Sequence, residues 1–272
     1  MTPTPLQKID QIYFKREDQN ITGSAKDRAI EKQVKNALLQ HFTSAVISST
    51  GNAAISAVHF CRQYHLPLTI FLSPKTDPAK LILLRQSKQN IIISQKPISD
   101  AFKYAQKNHS YNLRQSTDPV ALKAYSQIGL EIKTQLPKIS SIFIPVASGT
   151  TLLGLSQTLP SACKIFAVQP ASYCPLASVF DKNYRPETTT STTSLSVRSL
   201  PLKSLVLVAV KKSHGSTLVV QEEDLKRQQK YLKKNKIYTS TEGALALAGY
   251  QKAKKIFDPG PFPLILLTGT KR

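Results

Sequence analysis

Val46-Ile47-Ser48-Ser49-Thr50-Gly51-Asn52-Ala53-Ala54 passes from an apolar, β-rich run through a turn of small, hydrogen-bonding residues into an almost wholly apolar helix. A strand-turn-helix junction of this kind aims several backbone N–H groups at one spot, where a carboxylate or phosphate can sit. Ser, Gly and Asn also make ordinary turns and caps, so the junction takes its meaning from what surrounds it. The same order recurs at Ile144-Pro145-Val146-Ala147-Ser148-Gly149-Thr150-Thr151-Leu152-Leu153-Gly154. Around these two junctions, short β-rich runs alternate with segments of helical period. Strands are expected at Ala45–Ile47, Leu68–Leu72, Ile91–Ile93, Ser141–Ile144, Lys164–Val168, Leu205–Val210 and Leu264–Leu267. Several are apolar on both faces, as in parallel strands covered by helices on each side. Helices are expected at Lys26–Gln40, Ala53–Tyr64, Pro78–Gln86, Asp100–Asn108, Val120–Leu136, Glu222–Lys234 and Glu242–Ile256. In the first of these, Ala29, Ile30, Val34, Ala37 and Leu38 make an apolar stripe. This alternation predicts an α/β protein with mostly parallel sheets flanked by helices. The rhythm breaks from Pro170 to Pro201, a Ser-, Thr- and Pro-rich stretch that includes Thr188 to Ser194 and reads as a loop beside the active site.

Composition narrows the functional classes. The 272 residues are 41% hydrophobic, enough for one generous core or two modest ones. No run approaches the roughly 20 apolar residues that span a bilayer. The start, Met1-Thr2-Pro3-Thr4-Pro5-Leu6, has neither the basic opening nor the apolar run of a secretory signal. Cys61, Cys163 and Cys174 form no CxxC pair and are odd in number, which argues for reduced thiols in a cytoplasmic protein; no metal-ligand set is expected. The 37 Lys+Arg against 16 Asp+Glu give a formal charge of +21. These cations are spread along the chain without zinc-finger spacing, aromatic RNP pattern or basic zipper, so nucleic-acid binding is the lesser reading. A positive field also attracts small anionic substrates.

A third motif adds a reactive group. In Tyr13-Phe14-Lys15-Arg16-Glu17-Asp18-Gln19-Asn20-Ile21-Thr22-Gly23-Ser24-Ala25-Lys26-Asp27-Arg28, an extended segment ends in a Thr-Gly-Ser turn and a helix begins near Ala25, with Ser24 as the expected cap. Lys26 then stands in the first turn, where unpaired N–H groups and the helix dipole disfavour a positive charge. An amine kept neutral is the better nucleophile toward an aldehyde. Near the other end, Leu264-Ile265-Leu266-Leu267-Thr268-Gly269 sets a hydroxyl just beyond a buried strand.

Together these stretches resemble the tryptophan-synthase-β-like, fold type II family of pyridoxal-phosphate enzymes, nearest to the threonine synthases. The lysine segment is similar to the family's K-x-E…P-T-G-S-F-K-D-R, with Ile21 for the proline and Ala25 for the aromatic. Ser49-Thr50-Gly51-Asn52 is similar to its S-S-G-N loop. Ala147-Ser148-Gly149-Thr150-Thr151 is similar to its phosphate cradle, with Ala147 and Thr150 where glycines are usual. The resemblance implies that Lys26 holds pyridoxal 5'-phosphate as a Schiff base and acts as the catalytic residue. It further implies that Asn52 meets the ring hydroxyl, that Ala147, Ser148, Gly149, Thr150 and Thr151 receive the phosphate, and that Thr268 faces the pyridine nitrogen. Ser49, Thr50 and Gly51 would then receive the substrate carboxylate. A helix beginning Glu242-Gly243-Ala244-Leu245 is also similar, and serves chiefly to pack. The family architecture implies two lobes, residues 1–42 plus 131–272 and residues 43–130, with the cofactor in the cleft, and a homodimer.

Tyr111 to Leu136, with Asp118-Pro119, and Leu195-Ser196-Val197-Arg198 look nearest to threonine synthases. The arginine that grips a phosphorylated substrate there is Ala121 here, and the family's E-G is Leu122-Lys123. The leading expectation is a lyase of the threonine-synthase type acting on O-phosphohomoserine. The alternatives are a cysteine-synthase-like or serine/threonine-dehydratase-like enzyme and, in another class, a catalytically silent member that binds nucleic acid through its basic surface.

Overall fold

A computed structural model describes residues 2–192, 195 and 200–271. The similarity at Ser196-Val197-Arg198, and the Thr193-Ser194 end of the Ser/Thr run, lie outside the described residues. The chain opens with an antiparallel pair, β1 (Leu6–Ile9) and β2 (Ile12–Lys15). There follow α1 (Lys26–Leu39), β3 (Ala45–Ser48), α2 (Asn52–Gln63), β4 (Leu68–Leu72), α3 (Pro78–Gln86), β5 (Asn90–Ile93), α4 (Pro97–Lys107), β6 (Tyr111–Asn112) and α5 (Pro119–Gln135). The remainder comprises β7 (Ser141–Pro145), α6 (Thr150–Ser156), β8 (Lys164–Pro170), α7 (Lys203–Lys212), β9 (Ser216–Val220), α8 (Glu222–Lys234), α9 (Thr241–Ala253) and β10 (Pro263–Leu266). The fold is α/β with mostly parallel sheets, as the alternation predicts.

Two compact units result, Ser24–Ala124 and Met1–Gly23 with Tyr125–Arg272. The first holds a four-stranded parallel sheet in the order β5-β4-β3-β6. Ile30, Val34 and Ala37 of α1 share one apolar core with Ala45 and Ile47 of β3 and Ala54, Ala57, Phe60 and Cys61 of α2. That shared core is why the division falls at Gly23/Ser24 and Ala124/Tyr125 rather than at 42/43 and 130/131, and why Lys26 travels with the smaller unit. A 3.6-residue apolar stripe must be buried against whatever is nearest, and for α1 that is α2.

The second unit holds a six-stranded sheet in the order β1-β2-β10-β7-β8-β9, parallel except for β1. Phe143 of β7 and Phe166 of β8 stack at 4.7 Å between centroids, and Tyr250 of α9 meets Phe143 edge-on at 5.3 Å. Almost every residue of α9 is buried, so this helix packs on all sides rather than along one stripe. Beneath β2, the fully buried Lys15 ammonium donates to the Thr4 carbonyl (2.8 Å), to Glu131 Oε2 (2.6 Å) and to Gln135 Oε1 (3.0 Å).

Two expectations need correction. Leu205–Val210 is not a strand but lies within α7: Val206 and Val210, one helical turn apart, are buried, whereas Leu205 and Val208 are 58% and 64% exposed. The edge position beside β8 belongs instead to Ser216-Thr217-Leu218-Val219-Val220, buried throughout. Short β-branched runs satisfy both periods, and only burial separates them. Ser24, likewise, does not cap α1. The cap position is Ala25, without a side-chain bond, and the Ser24 hydroxyl is buried and unpartnered. Of the remaining polar features, Cys61, Cys163 and Cys174 are free and buried, and burial pushes the first two thiols up to about 12. No helix among the described residues is long and apolar enough to cross a membrane.

Removing one partner of a buried ion pair strands the other charge. Glu131→Ala is therefore expected to cost about 3 kcal/mol, read from the urea midpoint, while Lys15→Met with Glu131→Leu should recover most of that loss. A single variant within about 0.5 kcal/mol of the parent would mean that water reaches Lys15.

Candidate active site

In the smaller unit two of the candidate residues stand at the starts of two helices packed on each other. Lys26 is the first residue of α1 and Asn52 the first of α2. Lys26 is part-buried, and the desolvation that comes with burial lowers its amine from 10.5 to about 8. The direction is the one expected from the sequence, but the cause is burial rather than the helix dipole. Ahead of α2, the Gly51 N–H donates to Ser49 Oγ at 3.2 Å, and the Gly51 carbonyl accepts from Ala54 and Ile55. Gly51 has φ −113°, open to any residue, and a Cβ there would meet nothing within 4 Å. Neither backbone nor packing demands glycine, so its small size leaves room for a guest beside Ser49, Thr50 and Asn52. The Asn52 side chain makes no hydrogen bond with the described residues, whereas Ser56, one turn further on, is buried with its hydroxyl unpartnered.

A carboxylate holds α1 in place within this unit. Asp118 Oδ2 accepts from Gln33 Nε2 (2.6 Å) and from the Tyr111 hydroxyl (2.7 Å), and its Oδ1 accepts from the Val120 N–H (2.8 Å). Asn36 of α1 donates to the same Tyr111 oxygen at 3.1 Å. Burial and the neighbouring Asp118 carboxylate both raise the Tyr111 phenol, so it remains a donor. Asp118-Pro119 thus has a visible job. Ala121, by contrast, is completely buried, and Lys123 is exposed.

In the larger unit, β7 pairs in parallel with β10 on one side and β8 on the other. The loops after β7 and β10 therefore leave the same edge of the sheet, beyond the carboxyl ends of the strands, where open α/β sheets bind ligands. The β7 loop is Val146 to Gly149. Gly149 has φ +90°, and a Cβ on it would stand 2.4 Å from Val206 Cγ2 of α7, so only glycine fits. Ser148 Oγ and Thr150 Oγ1 are hydrogen-bonded at 2.9 Å. The Gly149 carbonyl accepts from Leu153, which leaves the N–H groups of Thr150 and Thr151 at the open end of α6. Ala147 is part-buried against the core. From β10, Thr268 emerges part-buried, and Gly269 is fixed by bonds from Thr239 Oγ1 (2.8 Å) and the Ser240 N–H (2.7 Å). Glu242, in the first turn of α9, is buried and accepts from Thr241 Oγ1 at 3.4 Å.

One polar residue here escaped the sequence reading. Gln169, completely buried in β8, donates to the Val146 carbonyl and accepts from Leu176 and Ala177. Its signal was present, since Phe166-Ala167-Val168-Gln169-Pro170 sets one amide in a strand apolar on both faces.

Comparison with known proteins gives this geometry a family. The profile described as pyridoxal-phosphate dependent enzyme matches residues 1–269, and the chain belongs to that family. Threonine synthase of Methanosarcina acetivorans is 25% identical over 287 residues, covering 92% of this chain and 69% of that one. L-threonine ammonia-lyase of Geobacter sulfurreducens is 24% identical over 156 residues, 54% of this chain, and the match spans only 38% of that protein's length. Among solved structures, maize serine racemase superposes with a TM-score of 0.84 at 17% identity, over 100% of this chain and 89% of that one. The O-acetylserine-dependent cystathionine β-synthase of Helicobacter pylori gives 0.81 at 19% identity, over 99% and 93%. These likenesses establish the fold type II architecture.

The family cofactor is pyridoxal 5'-phosphate, and the residues present fit it. A desolvated lysine amine suits its aldehyde, and a left-handed glycine before open helical N–H groups suits its phosphate. The space beside Gly51 suits a ring or a substrate.

The lowered amine also has a stability consequence. The folded chain binds the Lys26 proton less tightly than the unfolded chain does, so protonation costs stability below pH about 8, and that cost fades as pH rises toward 10.5. In cofactor-free protein, Lys26→Met should resist urea better than the parent at pH 7, by on the order of 1 kcal/mol, with the two converging near the upper limit. A difference independent of pH would contradict the desolvated amine.

Proposed function

We propose that this enzyme eliminates or replaces a leaving group on the side chain of a small amino acid, with Lys26 as the residue that binds the cofactor aldehyde and moves the α-proton. The observation that carries this reading is the Lys26 amine at the first residue of α1, lowered by burial to about 8 within a family whose cofactor needs one such amine. An amine near neutrality can accept a proton from carbon and return it at the pH of the reaction. The N–H groups and hydroxyls of Ala147, Ser148, Gly149, Thr150 and Thr151 would hold the cofactor phosphate. Asn52 would donate its amide N–H to the ring hydroxyl without itself titrating. Ser49, Thr50 and Gly51 would orient the substrate carboxylate. Bound there, pyridoxal phosphate supplies the electron sink for the pair released at the α carbon. Thr268 would offer the ring nitrogen a hydroxyl in place of a carboxylate, which leaves that nitrogen unprotonated and favours elimination or replacement over transamination.

Support for a substrate class comes from what stands at Ala121. A planar cation grips a phosphorylated side chain with two hydrogen bonds, and this position is instead a completely buried alanine with an exposed lysine, a point charge at best, two residues on. The reading this supports best is a β-hydroxy or β-substituted amino acid, in the manner of the dehydratases and cysteine-synthase-like enzymes. A threonine-synthase-type reaction on O-phosphohomoserine is the second reading, supported by the match to threonine synthase over 92% of the chain.

Purified protein given pyridoxal phosphate should turn yellow, and borohydride should fix the cofactor's mass on the peptide bearing Lys26. Lys26→Ala should stay colourless and lose at least about 100-fold in turnover. Serine or threonine should then yield a 2-oxo acid, whereas phosphate released from O-phosphohomoserine would select the second reading. Turnover undiminished in Lys26→Ala would refute the assignment.

A further inference from the structure

Gln169 is the penultimate residue of β8, and none of its side chain reaches solvent. Both ends of its amide are engaged. Nε2 donates to the Val146 carbonyl at 3.1 Å; Oε1 accepts from the Leu176 N–H at 3.0 Å and the Ala177 N–H at 2.9 Å. Val146 is the residue immediately before the Ala147–Thr151 loop, and Leu176–Ala177 opens a short 3₁₀ turn in the stretch that follows β8. One amide thereby clamps the approach to the loop from one side and the segment after β8 from the other. Only a side chain of this length with both a donor and an acceptor can do so: glutamate lacks the donor when ionised, and a hydrocarbon lacks both.

The two sides do not depend on Gln169 equally. The segment after β8 is held at several other points. Thr217 Oγ1 donates to the Ala177 carbonyl at 2.6 Å. Asp181 accepts from the Val219 N–H at 2.8 Å and from Lys252 at 2.6 Å. Glu187 accepts from the Glu222 N–H at 3.0 Å and from Gln221 Nε2 at 2.8 Å. Among the described residues, the loop side has fewer anchors. Besides Gln169, the Val146 N–H donates to the Val168 carbonyl at 3.0 Å, and the Ser148–Thr150 hydroxyl pair is internal to the loop. Loss of the amide thus weighs on the loop more than on the segment.

We propose that Gln169 is a positioning residue that sets the Ala147–Thr151 backbone in the conformation that receives a phosphate group, acting through the Val146 carbonyl without touching the ligand. This inference rests on the reading of Ala147–Thr151 as the receptor of the cofactor phosphate. Because the effect passes through the loop, it falls on the affinity for phosphorylated cofactor and not on that for the same ring without phosphate.

The test is equilibrium dialysis of the full chain against pyridoxal phosphate and against pyridoxal. The parent should bind the phosphorylated form more tightly. Gln169→Glu, which keeps the acceptor and loses the donor, should weaken pyridoxal phosphate by about tenfold at pH 8 and leave pyridoxal unchanged. Relative to the parent, that loss should shrink as pH falls and the buried carboxyl gains a proton to donate. Thr217→Val, which cuts an anchor on the far side, should leave the ratio of the two affinities as in the parent. If the charge at 169 prevents folding, Gln169→Met has the same length without charge or hydrogen bonds, and should lower the ratio by the same amount. Equal losses for both ligands, or no loss in either variant, would overturn the positioning role. A parent without preference for the phosphorylated form would instead overturn the reading of the loop.

Discussion

Parallel pairing of β7 with both β10 and β8 is the constraint on which the rest of the larger unit depends. Parallel neighbours need crossover connections, so the loops that follow them emerge at one edge of the sheet, together with the open ends of the helices they lead into. Ala147–Thr151 and Thr268 are distant in sequence and share that edge for this reason alone. One face of this pairing is covered by the stacked Phe143 and Phe166 and by α9, most of whose residues are buried, which excludes water from the ladder on that side. Gln169 is tolerated inside this apolar layer because both its amide nitrogen and its amide oxygen find partners.

Two lysines show how burial can lead to opposite uses. Lys15 is sealed under β2 with its ammonium held by a carbonyl, a carboxylate and an amide oxygen, an arrangement that anchors the N-terminal strands to α5. Lys26 stands at a helix start where desolvation is the dominant influence on its amine. A charge matched by three acceptors serves structure. An amine brought toward neutrality is suited to chemistry.

Much of this was legible along the chain because local patterns are strong where turns are constrained. The Ser49–Asn52 and Ala147–Thr151 junctions, the Lys26 turn and most helices follow from residue type and period. The exceptions share a cause. Leu205–Val210 and Ser216–Val220 are both β-branched runs, and which one enters the sheet depends on what β8 and α9 leave uncovered. Ser24 has the right chemistry for a cap, but the chain turns one residue later and leaves its hydroxyl buried. The loop after β8 looks structureless from its Ser, Thr and Pro content, yet Thr217, Asp181 and Glu187 hold its first half through partners far away in sequence.

The sequence by itself determined the α/β class, the family and the positions of the candidate turns, because these rest on short-range geometry: small residues at tight turns, alternation of strand and helix, one lysine at a helix start. Only the tertiary structure decided which unit takes α1, how far the Lys26 amine departs from an ordinary lysine, and that Gln169 stands behind the Ala147–Thr151 loop. Each of these depends on desolvation or on hydrogen bonds between residues far apart in the chain, and neither exists until the sheets have closed over their cores.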